Sequence, residues 1–356
     1  MQFKKNKKQE GIILMITSFN QLHNFLSFFL EKKLIKKKNK IYLIILSDHI
    51  PRYLILEFKQ FIEKFASTEV VYLRRKFIKR KKNFFKSFFY YLFFFKKIFQ
   101  MKKSLITPSI SVYGKIQFPI LFIIFYFSSS KIFLIEDGIF EYVPYSKNEK
   151  IPLLINILKK FLMINKSRIH VLQLAKKKTD YKRLLKLPFL KKDFFFDNRE
   201  VYKNFIRSNF EKKLLFKPKC ILIGENPLPS QFNYVNNLYI KTLIQLMKKY
   251  SCSAKQILFF PHPRTELFYR DLFEKSLSKY SNIHPKSTLV AENYYSQDNL
   301  EIIVGTTSSA LFYAKTVFNK NQVYYLENEF KMKKDYEVEK NYLNVIKSTG
   351  IKKFIF

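Results

Sequence analysis

The sequence predicts an α/β protein made of two doubly wound, Rossmann-like domains with parallel sheets, and three observations carry that prediction. Short runs of unbroken apolar residues alternate with amphipathic stretches, the pattern of strands covered by helices on both faces. At 356 residues the chain exceeds what one core fills, and a hydrophobic fraction of 47% supplies material for two. Residues 186–219 are charged and aromatic with no periodic strand pattern, which places a junction near Lys217 and Pro218. The expected division is a first domain over residues 1–215, a second over 216–330 and a basic helical tail over 331–356.

In order, residues 11–16 read as a buried strand ending at Thr17 and Ser18, and a helical pattern follows through Leu22, Phe25, Leu26, Phe29 and Leu30. Residues 41–46 and 69–73 are the next strands, with a helix over 53–65 between them. Further strands are expected at 110–113, 131–135 and 168–172. The second half opens with a strand into Gly224 and continues with a helix through Val235, Tyr239, Leu243, Met247 and Tyr250. Strands at 257–260, 300–304 and 322–326 complete it.

Charge is the loudest feature of composition: 66 Lys and Arg against 27 Asp and Glu give +39. Coding bias is one source, because the chain is rich throughout in Lys, Phe, Ile, Asn and Tyr, with six Gly and no Trp. An anionic membrane surface is another. The densest cluster is residues 74–103, where Arg74, Arg75, Lys76, Lys79, Arg80, Lys81 and Lys82 precede an aromatic run. It reads equally as an interfacial helix or as a core helix with a solvated basic face. No nucleic-acid motif is visible, and no nucleic-acid partner is expected. No stretch reaches the roughly 20 apolar residues of a spanning helix. Cys220 and Cys252 lack metal spacing and fit a reduced, cytoplasmic protein.

Three stretches carry chemistry. In Phe260-Pro261-His262-Pro263-Arg264 a strand end presents one imidazole between two prolines that bar regular continuation, with a guanidinium beside it for an anion. Glu136-Asp137-Gly138 follows another strand; the pair is either a turn or a carboxylate able to accept a hydroxyl proton. Gly305-Thr306-Thr307-Ser308-Ser309 lies between a strand and a helical run, which suits a phosphate cradle or an ordinary helix cap. The strand before Gly224 leads into Glu225 and Asn226. The five histidines, at 23, 49, 170, 262 and 284, show no ligand spacing, and no Asp-x-Asp motif stands at a strand end.

In this order the motifs resemble those of bacterial sialyltransferases: Glu136-Asp137-Gly138, His262-Pro263 and Thr307-Ser308-Ser309 match the acidic, His-Pro and Ser/Thr motifs shared by lipooligosaccharide sialyltransferases of glycosyltransferase family 52 and bacterial polysialyltransferases. The resemblance implies a GT-B architecture, two Rossmann-like domains facing across a cleft, and an inverting, metal-independent transfer from CMP-sialic acid to a glycan acceptor with no cofactor. Asp137 or Glu136 would be the base and His262 the acid, while Thr307, Ser308 and Ser309 would hold the donor phosphate with Arg264 nearby or bracing the motif. Gly224 and Asn226 would line the nucleotide end. Where the nearest family can carry its base after the first strand of the second domain, this chain has Glu225, so Glu225 is the alternative base. The resemblance also implies lipooligosaccharide or capsule biosynthesis at the inner face of the inner membrane, with a homodimer a reasonable state. A different donor sugar on the same scaffold, or a non-catalytic basic module for lipid or nucleic acid, are the competing readings.

Overall fold

A computed structural model of the chain describes residues 11–16, 18–35, 40–45, 52–72, 109–113, 131–136, 169–174, 195–263, 265–285, 287, 289–306, 308–328 and 336–356. Residues 74–103 and the expected site residues Asp137, Gly138, Arg264 and Thr307 lie outside the described residues. The described chain divides into two compact units, one taking the residues up to Glu136 with 169–173 and 195–196, the other built from Asp197–Phe356.

The first unit holds a seven-stranded sheet in the order β3-β2-β1-β4-β5-β6-β7. Its strands are β1 (Gly11–Ile16), β2 (Lys40–Ile45), β3 (Ser67–Tyr72), β4 (Ser109–Tyr113), β5 (Lys131–Ile135), β6 (Ile169–Gln173) and β7 (Phe195–Asp197). β1 pairs parallel with β2 and β4, β2 with β3, β4 with β5 and β5 with β6. Helix α1 (Phe19–Glu31) starts at Ser18, whose side chain accepts from the Gln21 amide at 3.4 Å. The apolar stripe foreseen in the sequence does face the core: Phe25, Leu26 and Phe29 are buried, and the Phe29 ring meets Phe133 of β5 edge-on at 4.9 Å. Helix α2 (Arg52–Glu63) buries Phe58, stacked at 3.7 Å on Phe19. The short β7 was not foreseen, because three residues carry too little pattern to be read.

The second unit holds a six-stranded sheet in the order β10-β9-β8-β11-β12-β13. Its strands are β8 (Cys220–Ile223), β9 (Ile257–Phe260), β10 (Asn282–Ile283), β11 (Ile302–Gly305), β12 (Gln322–Tyr325) and β13 (Lys352–Lys353). All five ladders are parallel. Every residue of β8, β9 and β11 is buried, as continuous apolar runs require in a sheet covered on both faces.

Helix α3 (Arg199–Phe210) belongs with this unit, where Tyr202 meets Phe318, although it precedes the expected boundary. Helix α4 (Phe232–Tyr250) buries Val235, Tyr239, Leu243 and Leu246 on one stripe. Helix α5 (Leu267–Leu277) adds Phe273, whose ring packs 5.3 Å from Phe259. Helix α6 (Ser309–Thr316) follows β11, and helix α7 (Tyr336–Ser348) precedes β13. The tail is therefore helical for part of its length and then rejoins the sheet. Two exposed lysines give β13 no apolar pattern; its neighbours Ile351 and Phe354, both buried, anchor it. Cys220 and Cys252 are free, buried and 3.0 Å apart at sulfur.

Candidate active site

Numbered within the second unit, the sheet order is 3-2-1-4-5-6, so the chain reverses direction across the sheet between β8 and β11. Ligands in open parallel sheets bind at that switch point, beyond the carboxyl ends of the strands. Register brings three of the sequence motifs to this edge. Ile223 pairs with Phe260 on one side and with Gly305 on the other. Glu225 and His262 therefore stand two residues beyond a paired position on neighbouring strands, and Thr306 and Ser308 one and three residues beyond theirs.

Both glycines at the edge are there for space. A Cβ on Gly305 would stand 2.9 Å from Ile223 Cβ and 3.0 Å from its carbonyl oxygen. A Cβ on Gly224 would come 2.9 Å from the Phe259 ring, and the Gly224 amide donates to the Phe260 carbonyl at 2.9 Å. Larger residues would push β8 away from its neighbours where the chains must leave the sheet.

The loop after β9 turns at once. Pro261 is buried, His262 half-buried and Pro263 exposed, and the Thr265 amide donates to the His262 carbonyl at 2.9 Å. The prolines end the strand, as the sequence indicated, and the backbone closes a turn at His262. After β11, Ser308 adopts extended backbone, φ −150° and ψ 157°, and its Oγ accepts from the Leu311 amide at 3.3 Å. It is thus the N-cap of α6, while Ser309 is the first helical residue and both are half-buried. Capping and anion binding are compatible, because the first amides of α6 still point outward with the positive end of the helix dipole.

Glu225 is 5% exposed, and its carboxylate Oε1 accepts from Asn328 Nδ2. Its amide donates to Tyr239 Oη at 2.7 Å. Burial, followed by the Glu225 charge, pushes the Tyr239 phenol well above its ordinary range, so it stays protonated. Asn226 is exposed beside it and Pro227 buried. Neither Asn328 nor Tyr239 was foreseen as part of this cluster. Tyr239 was legible only as an apolar helix position, and Asn328 lies 103 residues from its partner. Burial also recruits His284 behind this edge: it stacks at 4.2 Å on Phe260, and its pKa falls to about 4.

Of the other acidic motif, Glu136 belongs to the first unit. Glu136 follows β5 directly and is 1% exposed; its amide donates to the Leu172 carbonyl at 3.2 Å. Asn24 of α1 donates from Nδ2 to that same carbonyl at 3.4 Å. Asn24 and Glu136 thus meet at Leu172 beside the carboxyl edge of the first sheet, and Gln21 and Gln173 are buried as well. Among the described residues no group of three His, Cys, Asp or Glu side chains is placed to hold a metal ion. Among them, too, no helix is long and apolar enough to cross a membrane.

Comparison with known proteins gives this arrangement a family. A search of curated proteins returned no match. Among solved structures the chain is similar to the GT-B domain of a sialyltransferase from Photobacterium damselae, at a TM-score of 0.53 and 11% identity over 97% of this chain and 98% of that one. A second sialyltransferase structure from Photobacterium damsela gives 0.53 and 13%, covering 98% and 82%. A Listeria monocytogenes chain described as a UDP-N-acetylglucosamine 2-epimerase gives 0.54 at 9% identity, covering 96% and 88%. At such identities the likeness establishes the GT-B fold alone, which evidently serves more than one chemistry. The sequence profile of the alpha-2,8-polysialyltransferase family, by contrast, matches residues 12–327. The chain, a glycosyltransferase of GT-B fold, therefore belongs to the alpha-2,8-polysialyltransferase family.

Proposed function

We propose that this enzyme transfers sialic acid from CMP-sialic acid to a hydroxyl of a bacterial surface glycan, lipooligosaccharide or capsule, with inversion at the anomeric carbon and without a metal. The observation that carries the reading is that Glu225, His262 and Ser308 follow three neighbouring strands, β8, β9 and β11, at the switch point of the second sheet. The acceptor oxygen must lose its proton as it bonds to the anomeric carbon. Glu136 or Asp137 takes that proton, with Glu225 as the alternative base. As the bond from the anomeric carbon to the CMP phosphate breaks, His262 donates a proton or hydrogen bond to the departing phosphate. Ser308, Ser309 and Thr307, with the α6 amides, hold that phosphate, and Arg264 adds a fixed charge or braces the turn. Gly224 and Asn226 line the nucleotide end, while Pro263 fixes the backbone after the acid.

CMP release from CMP-sialic acid by the purified protein tests the reading. Turnover in the wild type, and its loss in His262→Ala, is the expected result. Unchanged turnover in that variant contradicts the assignment of the acid. Repeated transfer is a second reading, supported by the description of the matched family. Mass spectrometry of products grown on an oligosialic acid primer separates a ladder from a single addition. The charge of +39 supports peripheral attachment to an anionic membrane. Flotation with anionic vesicles tests this; attachment through residues 76–82 predicts weaker flotation when their lysines are neutralised, and equal flotation removes that segment as the anchor.

A further inference from the structure

The chain has two cysteines, 32 residues apart in sequence, and the fold brings them together. Cys220 opens β8, at the end of the strand away from the edge where His262 and Ser308 follow theirs. Cys252 arrives there from α4. The helix ends at Tyr250, and Ser251, at φ 49° and ψ 37°, takes the left-handed turn that puts Cys252 beneath the sheet. The segment leading on into β9 is held by backbone bonds: the Ser253 amide donates to Gln256 Oε1 at 2.9 Å, the Gln256 amide to the Ser253 carbonyl at 2.9 Å, and the Lys219 amide to the Gln256 carbonyl at 2.8 Å. Cys220 itself is registered in the ladder against Ile257 on one side and Ile302 on the other. Both thiols thus stand on fixed backbone, with their sulfurs 3.0 Å apart. A disulfide needs about 2.05 Å, so a shift of about 1 Å reaches bonding distance. Buried cysteines often serve as small apolar core residues. That role asks for no contact between sulfurs, and nothing in it sets the two cysteines of a 356-residue chain side by side.

We propose that Cys220 and Cys252 are an oxidisable pair that closes into an intramolecular disulfide when a hydroperoxide reaches it, stapling the start of β8 to the segment between α4 and β9. Cys252 meets the oxidant first, because it lies between the exposed Ser251 and Ser253 while Cys220 lies within the sheet. Its sulfur takes one oxygen from the peroxide, giving a sulfenic acid and releasing the alcohol, or water from hydrogen peroxide. Burial, then the hydrogen bond with Cys252, holds the Cys220 thiol well above its ordinary range, so it stays protonated until its neighbour is oxidised. Cys220 then attacks the sulfenic sulfur. The sulfur-sulfur bond forms, and the sulfenic hydroxyl leaves with the Cys220 proton as water. Two thiols have lost two electrons and two protons, and the peroxide has been reduced. The reduced pair is the resting form, and the disulfide is what oxidative stress produces.

The full chain is treated with hydrogen peroxide, unfolded in denaturant with iodoacetamide and weighed by mass spectrometry. The oxidised protein should be two hydrogens lighter with no alkylation, the untreated protein should carry two alkyl groups, and digestion should yield one linked pair of peptides containing Cys220 and Cys252. The melting temperature of the oxidised protein should lie roughly 5–10 °C above that of the reduced one, since the bond closes a loop of some 32 residues. Dithiothreitol should reverse the rise, and Cys252→Ala treated in the same way should not show it. Two thiols still open to alkylation, sulfinic acids at either position, or a disulfide between two chains would overturn the proposal. So would an internal disulfide that leaves the melting temperature where it was. None of these readouts depends on the sialyl-transfer reading.

Discussion

At the carboxyl edge of the first sheet the described polar residues, Gln21, Asn24, Glu136 and Gln173, sink into an aromatic core. At the corresponding edge of the second sheet, two glycines, two prolines and a helix cap keep the loops short and bring His262 and Ser308 to half-burial. Both sheets place their first strand between strands two and four. Shared topology thus supplies the place, and the local residues decide what is done there. The first edge holds one buried carboxylate among buried amide side chains. The second holds a half-buried imidazole, and half-buried hydroxyls at the start of a helix.

Substitution at each edge sharpens this contrast. His262→Ala should lower kcat for CMP release by at least about a hundredfold, the scale of a missing general acid, in a stopped assay. If the first edge supplies the base, Glu136→Gln or Asp137→Ala produces a loss of similar size, while Glu225→Gln alone leaves most turnover; the opposite pattern moves the base to the second edge.

Among the residues whose burial is described, each unit carries one buried imidazole, which lets the two be compared in stability. Burial lowers the pKa of His23 to about 3 and of His284 to about 4. Unfolding lets both take up protons, so their contribution is complete above the free imidazole pKa of about 6.5 and is lost as pH falls toward the folded values. For His284 that amounts to at most about 3 kcal/mol between pH ~6.5 and ~4. Urea unfolding across that range should show stability rising with pH, and His284→Phe, which keeps the ring on Phe260, should flatten the rise.

Smaller effects test the second edge as a piece of construction. Gly305→Ala should cost about 1–3 kcal/mol in urea unfolding, because its methyl meets the Ile223 backbone. Ser308→Ala should cost about 1 kcal/mol through the lost cap of α6. It should also raise the donor KM, a change that a cap acting on the fold alone would not produce.

What could be read in the sequence was local. The strands before Gly224, His262 and Gly305 are unbroken apolar runs bounded by glycine or proline, so their ends, and the motifs on them, were legible. The helix Arg199–Phe210 was legible in principle, through Tyr202, Phe205, Ile206 and Phe210 at helical spacing, but its charges and aromatics looked like a junction. β13 and the grip of Asn328 on Glu225 were not, because each depends on pairing with a distant segment and leaves no periodic trace. Nor does sequence spacing reveal that Gly305 is required by Ile223.

The proposed function requires the second edge to hold a CMP donor. Calorimetric titration of the wild type and of Ser308→Ala with CMP, UDP and GDP tests it most directly. CMP binding to the wild type, weakened in the variant, with UDP and GDP much weaker throughout, is the predicted result. Tight binding of UDP in place of CMP, or CMP binding indifferent to Ser308, would contradict it.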